Sequence, residues 1–280
     1  MCDYKQYNES KYKNDYWAIN RSQFKWFSNY VRLRIFRKLI ANVKKKEVFV
    51  DIGGGVGNWA FHFLDDFEKV IVLDISKKAL DRIPEKKILK IEGSITNIPL
   101  ENNSVDCILL ADVLEHLKDE DLDKVISELK GILGKDGRII IFTSQYGFGM
   151  NLVICRMFNK MQGRLTLSEI KEGHLNRMKL NELKNLLKRN NLSIEKYFHY
   201  GIFFQPATDF IKDKISAVLQ GKTKGSTRPG QELKNKVKTK TGMLSKMIFT
   251  SFSLISYLDI LFFGKILPGS SIFIEVKHST

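Results

Sequence analysis

VFVDIGGGVGNWA, residues 48–60, runs from alternating apolar residues directly into Gly53, Gly54, Gly55 and Gly57 and then into a helix-like stretch. The alternation predicts a strand from Val48 to Ile52, and Trp59 to Leu64 reads as the start of a helix. Glycines between a strand and a helix let the backbone approach a ligand closely. Two templates fit. Gly55-Val56-Gly57-Asn58-Trp59-Ala60 satisfies the dinucleotide fingerprint in its Ala-ending form, in which a pyrophosphate sits at a helix N-terminus. The same residues also form a D-x-G-x-G-x-G pattern beginning at Asp51. A carboxylate there repels a pyrophosphate but helps to hold a ligand of cationic character.

Outward from the turn, strand-like and helix-like runs alternate, which is the pattern of a doubly wound α/β sheet with crossover helices. Strands are expected at Val70 to Leu73, Ile88 to Ile91, Val105 to Leu110 and Arg138 to Phe142. Helices are expected from Lys77 to Arg82, closed by Pro84, and from Asp119 to Leu133, with Gly134 to Gly137 as the following turn. Beyond residue 143, Leu180 to Asn190 reads as an amphipathic helix. Ser193 to Tyr200 and Ser271 to Val276 read as two strands able to pair antiparallel, which makes seven strands, mostly parallel. Residues 1–46 are read as an N-terminal helical cap, 47–200 as the core, 201–267 as a basic and apolar helical insertion, and 268–280 as the final strand of the core. In the cap, Tyr12, Tyr16, Trp17, Phe24, Trp26, Phe27, Tyr30, Leu33, Phe36, Leu39 and Ile40 fit two helices packed on the sheet edge or lidding the carboxyl end of the first strand.

The 280 residues, 43% of them hydrophobic, suffice for one sizeable core with an appendage. Cys2, Cys107 and Cys155 are too far apart for metal-ligand spacing, and no metal is expected. The opening residues do not read as a secretory leader, so a cytoplasmic setting is expected. The formal charge of +15 is unevenly spread: 12 basic against 2 acidic residues in 5–46, 12 against 19 in 47–155, and 20 against 7 in 156–246. The glycine-rich segment is therefore acidic and its flanks are basic.

Asp74, 17 residues after Gly57 at the end of the second strand, suits a ribose whose two hydroxyls donate to a carboxylate. That feature selects nucleosides without separating NAD from S-adenosylmethionine (SAM). The further segments VLDIS, EGSITNIPLENNSVDCILLADVLEHL and KDGRIIIFTSQYG, in this order after DIGGGVGNWA, resemble the motifs of the class I SAM-dependent methyltransferases. Residues 97–106 resemble the family's L-P-F-x-x-x-S-F-D signature, and Leu114-Glu115-His116 its V-L-E-H-L run. The resemblance covers residues 47–145 closely, and 174–200 and 271–277 more loosely. It implies a Rossmann-like methyltransferase fold with SAM as cofactor. Gly53, Gly55 and Gly57 would wrap the methionine portion, Asp51 would contact its ammonium group, and Asp74 would hold the ribose. Ile75 would pack on the adenine, and Ile95 is a further cofactor-binding candidate. Ser94 stands where the family often has an acidic residue. Ala111 and Asp112 would line the pocket beside the sulfonium.

Methyl transfer rests largely on placing a nucleophile against the methyl group. For a hydroxyl acceptor Asp112, His174 or His199 are candidate general bases, His174 because related small-molecule methyltransferases place a histidine there. Glu115 and His116 read as fold elements. Residues 247–263 are apolar nearly throughout but short for a membrane span, with Asp259 inside. They are expected to pack on the core or a partner, or to join the lysines from 212 onward in peripheral membrane contact through 212–264, at the inner membrane face. The expected acceptor is a small-molecule, amphiphilic, lipid-linked or glycan-type compound. The alternatives are an RNA methyltransferase, which the flanking charge favours, an NAD(P)-dependent reductase, and a non-catalytic SAM-binding protein.

Overall fold

A computed structural model describes residues 27–147, 150–157, 160–202, 257–258, 260 and 262–279. Its centre is a seven-stranded sheet in the order β3-β2-β1-β4-β5-β9-β8. The strands are β1 (Val48–Ile52), β2 (Lys69–Asp74), β3 (Ile88–Glu92), β4 (Val105–Ala111), β5 (Leu133–Ser144), β8 (Leu192–Tyr200) and β9 (Ser271–His278). The first five are parallel. β9 runs antiparallel between β5 and β8, with Ile141 opposite Ile274 and Phe198 opposite Phe273. The expected pairing of the last two strands is therefore present. A two-stranded hairpin, β6 (Met161–Gln162) with β7 (Leu165–Thr166), stands apart from the sheet.

Side chains alternate across the strands and so build two cores. On one face Val50, Ile52, Ile71, Ile108, Ile139 and Ile274 meet α3 (Leu122–Ile132) and α6 (Leu180–Arg189). Leu122, Val125, Ile126, Leu129 and Ile132 repeat at helical spacing and are all buried, as are Leu183, Leu186 and Leu187 of α6. On the other face Phe49, Val72, Leu109, Phe142 and Phe273 meet α1 (Phe27–Ile40). Phe36 of α1 is fully buried, edge-on to Trp59 at 4.9 Å and to Phe273 at 5.3 Å. Of the two helices expected before β1, α1 is described; residues 1–26 lie outside the described residues, as do 203–256, which hold the basic stretch GKTKGSTRPG and the start of the apolar run.

Three expectations are corrected. The helix read from Trp59 is only a 3-10 turn, Ala60–Phe63. Asn58 and the aromatics are weak helix formers, and Asp65 and Asp66 would crowd the negative end of a longer helix. The helix read to Arg82 is one turn, α2 (Lys77–Leu80), capped by the Ser76 hydroxyl, and Pro84 bars its extension. Gly134 to Gly137 do not separate α3 from β5 but lie within the span of β5 as a bulge: Val105 pairs with Leu133, and Cys107 already pairs with Arg138.

The described end of the apolar run packs on the core. Residues 257, 258, 260, 262 and 263 are helical, Ile260 is buried, and Tyr257 lies under the Arg34 guanidinium. Among the described residues no helix is long and apolar enough to cross a membrane. Short helices α4 (Met150–Met157) and α5 (Leu167–Lys171) link β5 to α6. If α1 is integral to the core, Phe36→Ala costs about 3–5 kcal/mol. Urea unfolding is then expected to show a lower midpoint at an unchanged slope.

Candidate active site

The carboxyl ends of β1, β2, β4 and β5 meet at one edge of the sheet, where the glycine turn lies. Gly53, Gly55 and Gly57 all have positive φ, which explains glycine at these three positions. Gly54 is needed for another reason: a Cβ there would stand 2.7 Å from the Asp51 Cγ and 3.0 Å from Val72. The sequence reading noted all four glycines but gave a ligand role only to the other three. The signal for Gly54 was available, since only a residue without a side chain can follow Asp51 so closely in a turn folded back on β1.

Asp51 is 1% exposed, and its carboxylate accepts from the Ala60 N–H at 3.1 Å. Burial pushes its pKa up to about 7, against the lowering effect of that bond, and the Asp74 charge adds to the rise. Asp51 therefore lies beneath the turn, where it braces the backbone. Asp74 is also buried; one carboxylate oxygen accepts from the Gly55 N–H at 2.8 Å and the other from the Ser76 N–H at 2.8 Å. Ile75 is half-buried beside it. The Ser94 hydroxyl is engaged in its own turn, 2.8 Å from the Thr96 hydroxyl, while the half-buried Ile95 packs on the first core.

At the end of β4, Ala111 is half-buried and Asp112 is exposed with φ +56°, a conformation costly for a residue with a side chain. Val113 lies over the turn, its Cγ2 2.6 Å from where a Cβ on Gly53 would be. The Asp112 carboxylate receives both of its side-chain bonds from Arg32 Nη2 of α1, at 2.6 and 2.7 Å. The Arg32 guanidinium sits 3.8 Å from the Phe142 ring centroid and 5.6 Å from that of Trp59. Arg32 was missed by the sequence reading, although an arginine in register with the buried Phe36 four residues on was a usable signal.

Next to Asp112, Glu115 is 1% exposed and accepts from the Thr143 hydroxyl at 2.9 Å. Burial, then the Asp112 charge, raises its pKa to about 7. Its backbone carbonyl accepts from the Leu175 N–H, and His116 Nδ1 is bonded to the Gly173 carbonyl at 3.1 Å. These bonds dock the segment carrying His174 onto the loop after β4, and the His116 and His174 rings meet edge to face at 4.8 Å. Burial pulls the His174 pKa down, but the carboxylates of Glu169, Glu115 and Glu172 outweigh it and raise it. Glu169 is held by Arg177 and Thr166; burial opposes its ionisation, yet His174, Arg177 and Thr166 bring its pKa down to about 2. The geometry thus brings Asp112, Glu115 and His174 together. His199 is instead bonded at Nδ1 to the Gln145 side chain at 2.7 Å, and burial lowers its pKa to about 4. It is buried on β8, bonded to Gln145 rather than to any residue of the glycine turn.

A separate open cleft of about 600 Å³ lies between the hairpin and α6, lined in part by Arg164, Arg177, Glu182 and Arg189; none of the turn residues borders it. Among the described residues no group of three or more His, Cys, Asp or Glu side chains is placed to hold a metal ion.

Residues 50–141, which span β1 to β5 and the turn, match the family model described as methyltransferase domain. The segment 50–141 is a methyltransferase domain. This methyltransferase domain has a curated relative in an uncharacterized protein of Methanocaldococcus jannaschii, 32% identical over 125 residues. That match spans 41% of this chain and 54% of the relative, so the chain covers about half of its length. Among solved structures, a phosphoethanolamine N-methyltransferase 2 of Haemonchus contortus in complex with SAM has a TM-score of 0.59 at 16% identity, over 99% of this chain and 59% of that one. A geranyl diphosphate C-methyltransferase of Streptomyces coelicolor has a TM-score of 0.52 at 13% identity, over 89% and 77%. These likenesses establish the shared fold.

The burial of Asp51 in the methyltransferase domain has a stability consequence. Unfolded, it ionises near 3.8; folded, it keeps its proton to about 7. Its contribution is therefore fully favourable below pH 3.8 and is lost as the pH rises to 7. Asp51→Asn keeps an acceptor for Ala60 and removes the cost, so it is expected to stabilise by on the order of 2 kcal/mol at pH 8 and by much less at pH 4.5. Thermal unfolding across that range checks the sign.

Proposed function

We propose that this chain transfers the methyl group of SAM to a small-molecule or amphiphilic acceptor. The observation that carries this reading is the charge of the turn edge: Asp74 and Asp112 stand at the strand ends of a chain whose formal charge is +15, above the buried Asp51 and Glu115, which hold their protons to about pH 7. Such an edge suits a cationic nucleoside and opposes the pyrophosphate of NAD. The residues present fit the donor. Gly53 leaves room for Val113 over the turn and Gly54 for Asp51 beneath it, and Asp74, fixed by two backbone N–H groups, is held where β2 ends. When bound, SAM supplies a methyl group on a positively charged sulfur. The turn would hold its amino-acid portion and Asp74 its ribose. Val113 and Asp112 would border the reacting side, and His174, anchored to Glu115 and His116, would face the acceptor.

An acidic edge also weighs against a nucleic-acid acceptor, whose phosphates it would repel. A second observation favours contact with a membrane surface, and hence an amphiphilic acceptor: Leu258, Phe262, Phe263 and Ile266 are exposed around Lys265. Apolar side chains interleaved with a lysine suit an anionic bilayer interface. The proposed setting is the cytoplasmic side, with contact at the inner face of the membrane.

Asp74→Asn is expected to weaken SAM binding by tenfold or more, the scale of one hydrogen bond to a charged group. Calorimetry measures this, with circular dichroism reporting an intact fold. Incubation with labelled SAM and separated small-molecule, lipid and RNA fractions is expected to place label in one of the first two. Label in RNA alone would overturn the acceptor class.

A further inference from the structure

The side chain of Arg32 occupies a site built for a cation. A carboxylate in a strained backbone conformation, Asp112 at φ +56°, meets the face of Phe142, and between them lies a guanidinium 3.8 Å from the ring centroid. Carboxylate and aromatic face together attract ammonium and guanidinium groups. The fit to Arg32 is incomplete. Both bonds to Asp112 come from the single nitrogen Nη2, so the two-nitrogen fork that makes arginine-carboxylate pairs strong is not formed. Arg32 Nε is buried with no hydrogen-bond partner among the described residues. A buried donor without a partner carries a penalty, which lowers the cost of displacing this side chain. Asp112 itself keeps a side-chain exposure of 43%, so the carboxylate is open to solvent beside the pair. Its neighbour Val113 covers Gly53, which places the site against the glycine turn.

We propose that the methyl acceptor is an amine, and that its nitrogen takes the place of the Arg32 guanidinium between Asp112 and Phe142. This rests on the methyl-transfer reading and names the substrate class of that same site. In an in-line transfer the neutral amine attacks, having shed its proton to water. The N–C bond forms as the S–C bond breaks, with the S–C electron pair remaining on sulfur. Positive charge leaves sulfur and appears on nitrogen. Asp112 and the Phe142 face stand where that charge develops, and a fixed carboxylate there favours the transition state over the neutral reactant. Arg32 holds the site in its own charge state until an amine enters, and α1 carries it there from outside the sheet.

The test uses the full chain, SAM, and two probes of similar size, butylammonium and 1-pentanol. Asp112→Asn keeps the fold, because asparagine tolerates positive φ. Arg32→Met removes the competing charge and keeps the length of the side chain, and Arg32→Lys keeps a competing charge should the methionine variant fail to fold. Wild type is expected to bind butylammonium weakly, and Arg32→Met at least tenfold more tightly; Arg32→Lys should stay near wild type, and Asp112→Asn should lose the probe. Pentanol should show none of these changes. With labelled SAM, a panel of primary amines is expected to accept methyl groups where the matching alcohols do not. SAM binding without butylammonium binding in any Arg32 variant, or equal transfer to alcohols, overturns the amine assignment and leaves the methyl-transfer reading intact. Absence of SAM binding in wild type overturns that reading, and this one with it.

Discussion

The bond from the Gly55 amide to the Asp74 carboxylate, 2.8 Å long, ties the turn after β1 to the end of β2, and the candidate site is built outward from it. A turn with three residues at positive φ leaves backbone N–H groups pointing inward, where each must find an acceptor. Asp74 satisfies Gly55, and Asp51 satisfies Ala60 on the far side of the turn. The two acids are thus structural before they are functional. Their burial has a visible cost in Asp51, whose pKa is raised to about 7. That cost is tolerated where a site must be held rigidly, and a turn braced from below leaves its upper surface for a ligand.

The second organising feature is the opposition between a basic chain and an acidic strand edge. β4 delivers Asp112 and, one short turn later, Glu115 to the same place, and β5 delivers Thr143 to satisfy Glu115. The segment with His174 is pinned over this loop by bonds to Glu115 and His116. α1 closes the opposite side with Arg32. Its own packing, through Phe36 against Trp59 and Phe273, fixes the height at which that guanidinium arrives. Sheet, turn and cap therefore converge on one small volume, although they come from parts of the sequence 80 residues apart.

Much of this was legible in the sequence. Apolar alternation at β1 and short apolar runs between helix-like stretches identified the strands that became β1 to β5, and the antiparallel pairing of β8 with β9 was anticipated from two short runs near the end of the chain. The places of Asp51, the glycines and Asp74 at the strand ends were legible because their pattern is local, whereas the burial of Asp51 beneath the turn, away from the ammonium contact expected of it, was not. What was not legible depended on distance. The helix after the turn shrank to a single 3-10 turn, where Phe63 packs onto Phe49 at 5.1 Å, and α2 stopped after one turn ahead of Pro84. Gly54 mattered through contact with a side chain three residues earlier, and Arg32 through contact with a residue 80 positions later. Ser94 had a suitable hydroxyl, but its neighbour Thr96 engages it. His199 looked free to act as a base, and the fold buries it against Gln145.

The central claim is that an acid-braced glycine turn at the strand ends holds an S-adenosyl nucleoside and rejects a pyrophosphate. Calorimetric titration of the unmodified chain with SAM, S-adenosylhomocysteine and NAD tests it most directly. The account predicts saturable one-to-one binding of SAM and S-adenosylhomocysteine and no heat from NAD. Binding of NAD, or the absence of binding by both adenosyl compounds, would contradict it.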